Sequence, residues 1–134
     1  MNDRSYPAPK PVAWIASSRE DLRRFPEEVK DSMGHALWFA QTGRKHESAK
    51  PLKGFGGGGV LEIIESFEGN AYRAVYTVKF AGFVYVLHCF QKKSRRGRKT
   101  PKAEIDLVRS RLRLAEADFK HRTEGGSHRG DQET

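Results

Sequence analysis

The side chains best suited to gripping an anion cluster at one place in the chain. The run Phe90-Gln-Lys-Lys-Ser-Arg-Arg-Gly-Arg-Lys-Thr-Pro101 carries Lys92, Lys93, Arg95, Arg96, Arg98 and Lys99, and Lys102 follows it. Cations packed this densely repel one another until an anion neutralises them, and a phosphate backbone is the commonest such anion. A solvated loop that keeps the protein soluble is the other reading of the same run.

Arg73 is the second candidate, because it lies between apolar neighbours in a stretch that reads as a strand. A charge there is costly unless it has a partner or a task. The partner would be Glu62 or Glu65 on the adjacent strand. The task would be contact with a phosphodiester, together with Lys53 in the preceding loop and Lys92 and Lys93 at the end of the last strand. Lys50 and the basic run would hold the flanking phosphates. Converging cations of this kind stabilise the extra negative charge of a pentavalent transition state.

His88 is the only histidine within a predicted strand, and it reads either as a core imidazole or as a general base. Alternation points it the same way as Val86 and Phe90. The other histidines have no ligand spacing, and no carboxylates cluster as a two-metal nuclease would need, so neither a metal nor a cofactor is implied. RNA carries its own nucleophile in the 2′-hydroxyl, so positioned cations and one proton acceptor suffice to cleave it. Metal-free cleavage of DNA would be hard to explain with this inventory.

The elements that must position these groups can be read from periodicity. The 134 residues suffice for one core, and the formal net charge of +8 with pI near 9.8 favours RNA, DNA or acidic surfaces as partners. A single cysteine, Cys89, excludes an internal disulfide framework and reads as a buried, inert thiol. The N-terminal residues have no signal-peptide core and no run approaches transmembrane length, so a cytoplasmic location is expected.

Residues 1–11, rich in proline and polar groups, predict a flexible lead-in. Residues 12–15 predict a short strand. Ser17 with Glu20 fits a capping box for a brief helix ending near Arg24. Pro26 suits the first position of a second helix, in which Val29, Met33, Leu37 and Ala40 form one apolar face and Gly43 marks the stop. A long loop is predicted over 43–59; its glycines lack the Gly-Lys-Ser/Thr of a phosphate loop and read as a hinge.

Three strands over 60–67, 72–80 and 83–91, joined by tight turns, predict an antiparallel meander with helices on one face and the other partly polar. Thr100 is the natural N-cap of a C-terminal helix whose Ile105, Val108, Leu112, Ala115 and Phe119 form a docking stripe. From residue 120 to 134 the composition predicts a disordered tail, leaving 12–119 as the folded domain.

Five segments in order carry a family likeness: Pro51-Leu-Lys-Gly54, Leu61-Glu-Ile63, Tyr72-Arg-Ala-Val-Tyr76, Val86-Leu-His-Cys-Phe-Gln-Lys-Lys-Ser94 and Lys99-Thr-Pro-Lys-Ala-Glu-Ile105. Together they resemble the RelE/HigB superfamily of bacterial toxins, in its phage-derived branch. The resemblance implies an α+β domain of RelE type, with N-terminal helices and a C-terminal helix on an antiparallel sheet. It implies the toxin of a type II toxin–antitoxin system, acting as a ribosome-dependent endoribonuclease on mRNA and partnered by a cognate antitoxin, usually a helix-turn-helix DNA-binding protein.

Carried onto this sequence, the family's transition-state arginine falls on Arg73 and its basic strand-end residue on Lys93. Two lysines that RelE places on the preceding strand fall on Glu62 and Ile64, and no tyrosine follows the basic run. Lys53, Lys92 or His88 would have to replace them in proton transfer. The alternative within the same fold is a ParE-like gyrase inhibitor or a non-catalytic RNA-binding protein.

Overall fold

Apolar side chains recurring at helical or alternating spacing must each find a surface to cover, and a sheet with helices on both faces satisfies all of them here. The computed structural model describes residues 8–57, 59–92 and 99–133, with side chains described as far as 124. The element order is β1 (Val12–Trp14), α1 (Ser18–Arg23), α2 (Glu27–Gln41), β2 (Ala49–Pro51), β3 (Val60–Phe67), β4 (Asn70–Thr77), β5 (Val84–Lys92) and α3 (Lys102–Glu133). The fold is α+β, and the expected meander is present as β3–β4–β5. Phe67 pairs with Asn70 across a two-residue turn in which Glu68 and Gly69 both have positive φ, the geometry that matches the twist of a hairpin.

The sheet has five strands in the order β1-β5-β4-β3-β2, which adds one strand at each edge of the meander. β1 runs parallel to β5, with Ala13 opposite Tyr85. β2 pairs with β3 antiparallel, with Lys50 opposite Glu62. The predicted loop over 43–59 therefore contains a strand, too short for periodicity to reveal. The lead-in is also partly held: Lys10 N–H donates to the Gln41 carbonyl, and Gln41 Nε2 donates back to the Lys10 carbonyl. Residues 1–7 of that segment lie outside the described residues.

One face of the sheet packs under α2 through Val29, Met33, Leu37 and Ala40, which meet Leu61, Ile63, Ala74, Tyr76 and Val86. The other face packs under α3 through the predicted stripe, where Val108 and Ala115 are fully buried and Ile105, Leu112 and Phe119 partly so. The expectation of one partly polar, uncovered face is thus corrected.

α3 also runs on to Glu133, where composition alone predicts a disordered tail. No proline interrupts it, and once a docked stripe has nucleated a helix each added residue needs only propagation. Two predicted caps differ as well. Ser17 Oγ donates to Asp21 Oδ2 at 2.8 Å instead of closing a capping box with Glu20. α3 starts after Pro101, whose carbonyl accepts from the N–H groups of Glu104 and Ile105, so Thr100 stands one residue too early to cap it.

Candidate functional site

Arg73 sits on β4 between Ile64 of β3 and Phe90 of β5, with its side chain on the α3 face. It is only 2% exposed, not on the partly polar open surface that alternation suggested. Its Nη1 donates to Glu62 Oε2 at 3.1 Å and to Thr100 Oγ1 at 3.1 Å. Thr100 Oγ1 in turn donates to Glu62 Oε2 at 2.9 Å, which closes a three-membered ring of contacts. Glu62 is the partner and Glu65 is not, because Glu65 lies opposite Tyr72 on the α2 face. The buried cation is balanced by a buried anion, the condition under which such a charge is tolerated.

Above this ring opens a groove of about 960 Å³, floored by Glu62, Arg73 and Ile64. Lys50, Lys53 and Lys99 line it, all three exposed. Lys50 reaches it because it faces Glu62 across the β2–β3 pair, and Lys99 because the chain entering α3 passes over the sheet. Lys92 Nζ donates to the Lys99 carbonyl at 2.7 Å, which ties the end of β5 to that strap. The tertiary structure therefore gathers Arg73, Lys50, Lys53 and Lys99 around one concavity, with Lys92 beside it. The positive field of such a cleft attracts anions. Lys102 turns outward to pair with Asp106 at 3.0 Å and is not among the groove's lining residues. Lys93, Arg95, Arg96 and Arg98 lie outside the described residues.

His88 stands elsewhere. A register shift in the β4–β5 ladder, between Val75/His88 and Tyr76/Val86, leaves Leu87 as an extra residue on β5. This bulge turns His88 away from Val86 and onto the α3 face, where it stacks on Phe90 at 4.7 Å. His88 Nε2 is 2.6 Å from Glu104 Oε1, and Arg111 Nη1 lies 3.3 Å from Nδ1. Since a guanidinium can only donate, Nδ1 accepts and the ring hydrogen sits on Nε2, facing the carboxylate. Both ring nitrogens are engaged, and His88 lines a second hollow of about 490 Å³ that does not include Arg73. His88 is therefore not among the residues that line the groove around Arg73.

Cys89 is buried, and its burial pushes the thiol pKa up to about 12, which keeps it protonated and inert at neutral pH, as the sequence predicts. Burial likewise holds Tyr76 up at about 12. Tyr85 also stands at about 12, through burial first and then its hydrogen bond to Asp118 at 2.8 Å. Asp118 is lowered from the usual carboxylate value: burial works against this, but Arg122 Nε at 2.6 Å and the Tyr85 hydroxyl outweigh it. Among the described residues no group of three or more His, Cys, Asp or Glu side chains is placed to hold a metal ion, and no helix is long and apolar enough to cross a membrane.

Thr100 is the groove residue that sequence reading placed in the wrong role. Its position before Pro101 at a helix start suggests a cap, whereas its hydroxyl serves the ion pair. Only the packing of the strap over β3 and β4 brings it there.

Residues 20–113 match the family model described as phage-derived protein Gp49-like (DUF891). The chain belongs to this Gp49-like family. The matched segment runs from α1 into α3 and spans every residue of the groove just described. Among solved structures, the Gp49-like chain is similar to a double arginine-to-alanine mutant of E. coli toxin RelE in the free state. The TM-score is 0.51 at 17% identity, with 77% of this chain and 93% of that chain covered. It also matches a chain of the Mycobacterium tuberculosis toxin–antitoxin complex RelBE2, with TM-score 0.45, 18% identity and coverage of 63% of this chain and 99% of that chain. The E. coli match shows a RelE-type fold, and the expected likeness to the phage-derived branch of that superfamily is borne out. No curated protein matches the chain.

Proposed function

We propose that this Gp49-like protein is the toxin of a type II toxin–antitoxin pair and an endoribonuclease that cuts mRNA on the ribosome. The observation that carries the reading is Arg73 on the floor of a groove lined by Lys50, Lys53 and Lys99. The RelE-type fold and the net charge of +8 support it. In this reading the protein works in the cytoplasm and is silenced by a cognate antitoxin, a helix-turn-helix DNA-binding protein.

The chemistry follows from the groove's inventory. Lysine ammoniums seat the phosphates flanking the scissile bond, and Arg73 neutralises the oxygens of the phosphate that reacts. The 2′-oxygen bonds to phosphorus as the bond to the 5′-oxygen breaks, giving a 2′,3′-cyclic phosphate and a 5′-hydroxyl. Water in the open groove accepts the 2′-hydroxyl proton. Lys53 delivers one to the departing 5′-oxygen. Charge stabilisation of the pentavalent state supplies most of the rate.

The test is primer extension on ribosome-engaged transcripts, with wild type and Lys53→Ala compared at matched folded protein. Cleavage by the wild type, reduced at least tenfold in the variant, is the expected result. Growth arrest with intact transcripts would overturn the reading.

A further inference from the structure

The ring at the groove floor carries an inference that rests on the reading of the groove as an RNA-phosphate site. A carboxylate and a phosphate present similar paired oxygens to a guanidinium, so both fit the same side of an arginine. At the floor of the groove that side of Arg73 meets Glu62, at 3.1 Å. Arg73 and Glu62 side chains are 3% and 7% exposed, so an anion entering the groove meets a guanidinium already engaged. Thr100 uses both capacities of its hydroxyl there, accepting from Arg73 and donating to Glu62.

We propose that Glu62 is a built-in stand-in for the substrate phosphate, that Thr100 is the positioning residue that clamps it to Arg73, and that RNA binding exchanges carboxylate for phosphate. The exchange makes the site selective for polyanions. A single phosphate ion must displace a buried, hydrogen-bonded carboxylate with nothing else gained. A ribonucleotide chain draws on Lys50, Lys53 and Lys99 at the same moment, and these contacts offset the exchange. Its substrate class is therefore an RNA segment with several consecutive phosphates, as opposed to a mononucleotide.

The variants are Thr100→Val, which removes the hydroxyl and keeps the shape, Thr100→Ser, which restores it, and Glu62→Gln, all in the full chain. The probes are a 2′-O-methyl RNA hexamer, which cannot be cleaved, and inorganic phosphate, with binding followed by anisotropy and calorimetry. Thr100→Val is expected to bind the hexamer about tenfold tighter, the scale of one hydrogen bond to a charged group. It should also bind inorganic phosphate that the wild type ignores, and lower KM for cleavage while kcat stays within about threefold. Thr100→Ser returns to wild-type affinity, and Glu62→Gln, where it folds, moves further in the direction of Thr100→Val.

Wild-type affinity of Thr100→Val for both probes, with cleavage still dependent on Lys53, would overturn the clamp alone and leave the nuclease reading standing. No hexamer binding by wild type or Thr100→Val would overturn the RNA reading and the exchange with it.

Discussion

Two hollows meet at the first turn of α3, where the neighbours Ile105 and Glu104 line one each. Each has a buried basic side chain from the α3 face of the sheet, Arg73 in one and His88 in the other. In the first, Arg73, Lys50, Lys53 and Lys99 face the single carboxylate of Glu62, so the hollow keeps a surplus of positive charge. In the second, the carboxylates of Asp21 and Glu104 stand with Arg24 and His88, so that hollow has no such surplus. The imidazole is held by Glu104 and by Arg111, which also donates to the Leu87 carbonyl and to Ser17 Oγ. A basic side chain buried on the same sheet face is thus surrounded by further cations in one place and by carboxylates in the other. What separates the two is the company it keeps.

The largest expected effect follows from breaking the first hollow. Arg73→Ala should lower cleavage by about a hundredfold or more, the usual scale for one charge-stabilising donor. It should also cost about 3–5 kcal/mol of stability, because Glu62 would remain buried without its cation. Cleavage is therefore to be measured at a temperature where circular dichroism shows the variant folded. Full cleavage by folded Arg73→Ala would remove the distinction between the two hollows.

Next comes the helix that walls both. Leu112→Ala should destabilise by about 2 kcal/mol in denaturant titrations, at the low end for such a change because the side chain is only partly buried. A loss near zero would show that α3 is held by its charged contacts instead of its stripe.

A smaller effect is expected in the second hollow. His88→Gln retains one hydrogen bond and should cost about 1 kcal/mol of stability, while cleavage per folded molecule stays unchanged. A pH–rate profile that loses a limb in this variant would return His88 to the chemistry.

The smallest effects concern pH. Tyr76, Tyr85 and Cys89 stand at about 12 in the folded protein, above their ordinary values of 10, 10 and 9. An acid whose folded pKa is raised contributes stability that is complete below its unfolded value and is lost as pH climbs toward the folded one. Stability should therefore decline from about pH 9 upward, and Tyr85→Phe should flatten part of that slope. Asp118 acts in the opposite sense: its lowered carboxyl stabilises above the ordinary carboxylate value and loses this as the pH falls below it. Asp118 and Arg122 are partly exposed, so added salt should erase much of the acid-side effect.

Much of this molecule was legible before any fold was known. Alternation in 60–67, 72–80 and 83–91 identified the meander, and the spacing of Val29, Met33, Leu37 and Ala40 identified the buried face of α2. These signals are local, since a strand or helix writes its own period into the residues that compose it. Arg73 and its possible pairing with Glu62 were legible for the same reason, as cross-strand neighbours follow from hairpin register.

What the tertiary structure alone decided depends on segments far apart in the chain. β2 is three residues long and shows no period, so only its pairing with β3 reveals it. The bulge at Leu87 reverses the facing of His88 without a glycine to announce it. The covering of Arg73 by the strap before α3 comes from Thr100, 27 residues along the chain, and no local pattern encodes which hydroxyl will arrive there. Periodicity tells a residue which face it occupies; what lies above that face is settled by the packing of the whole chain.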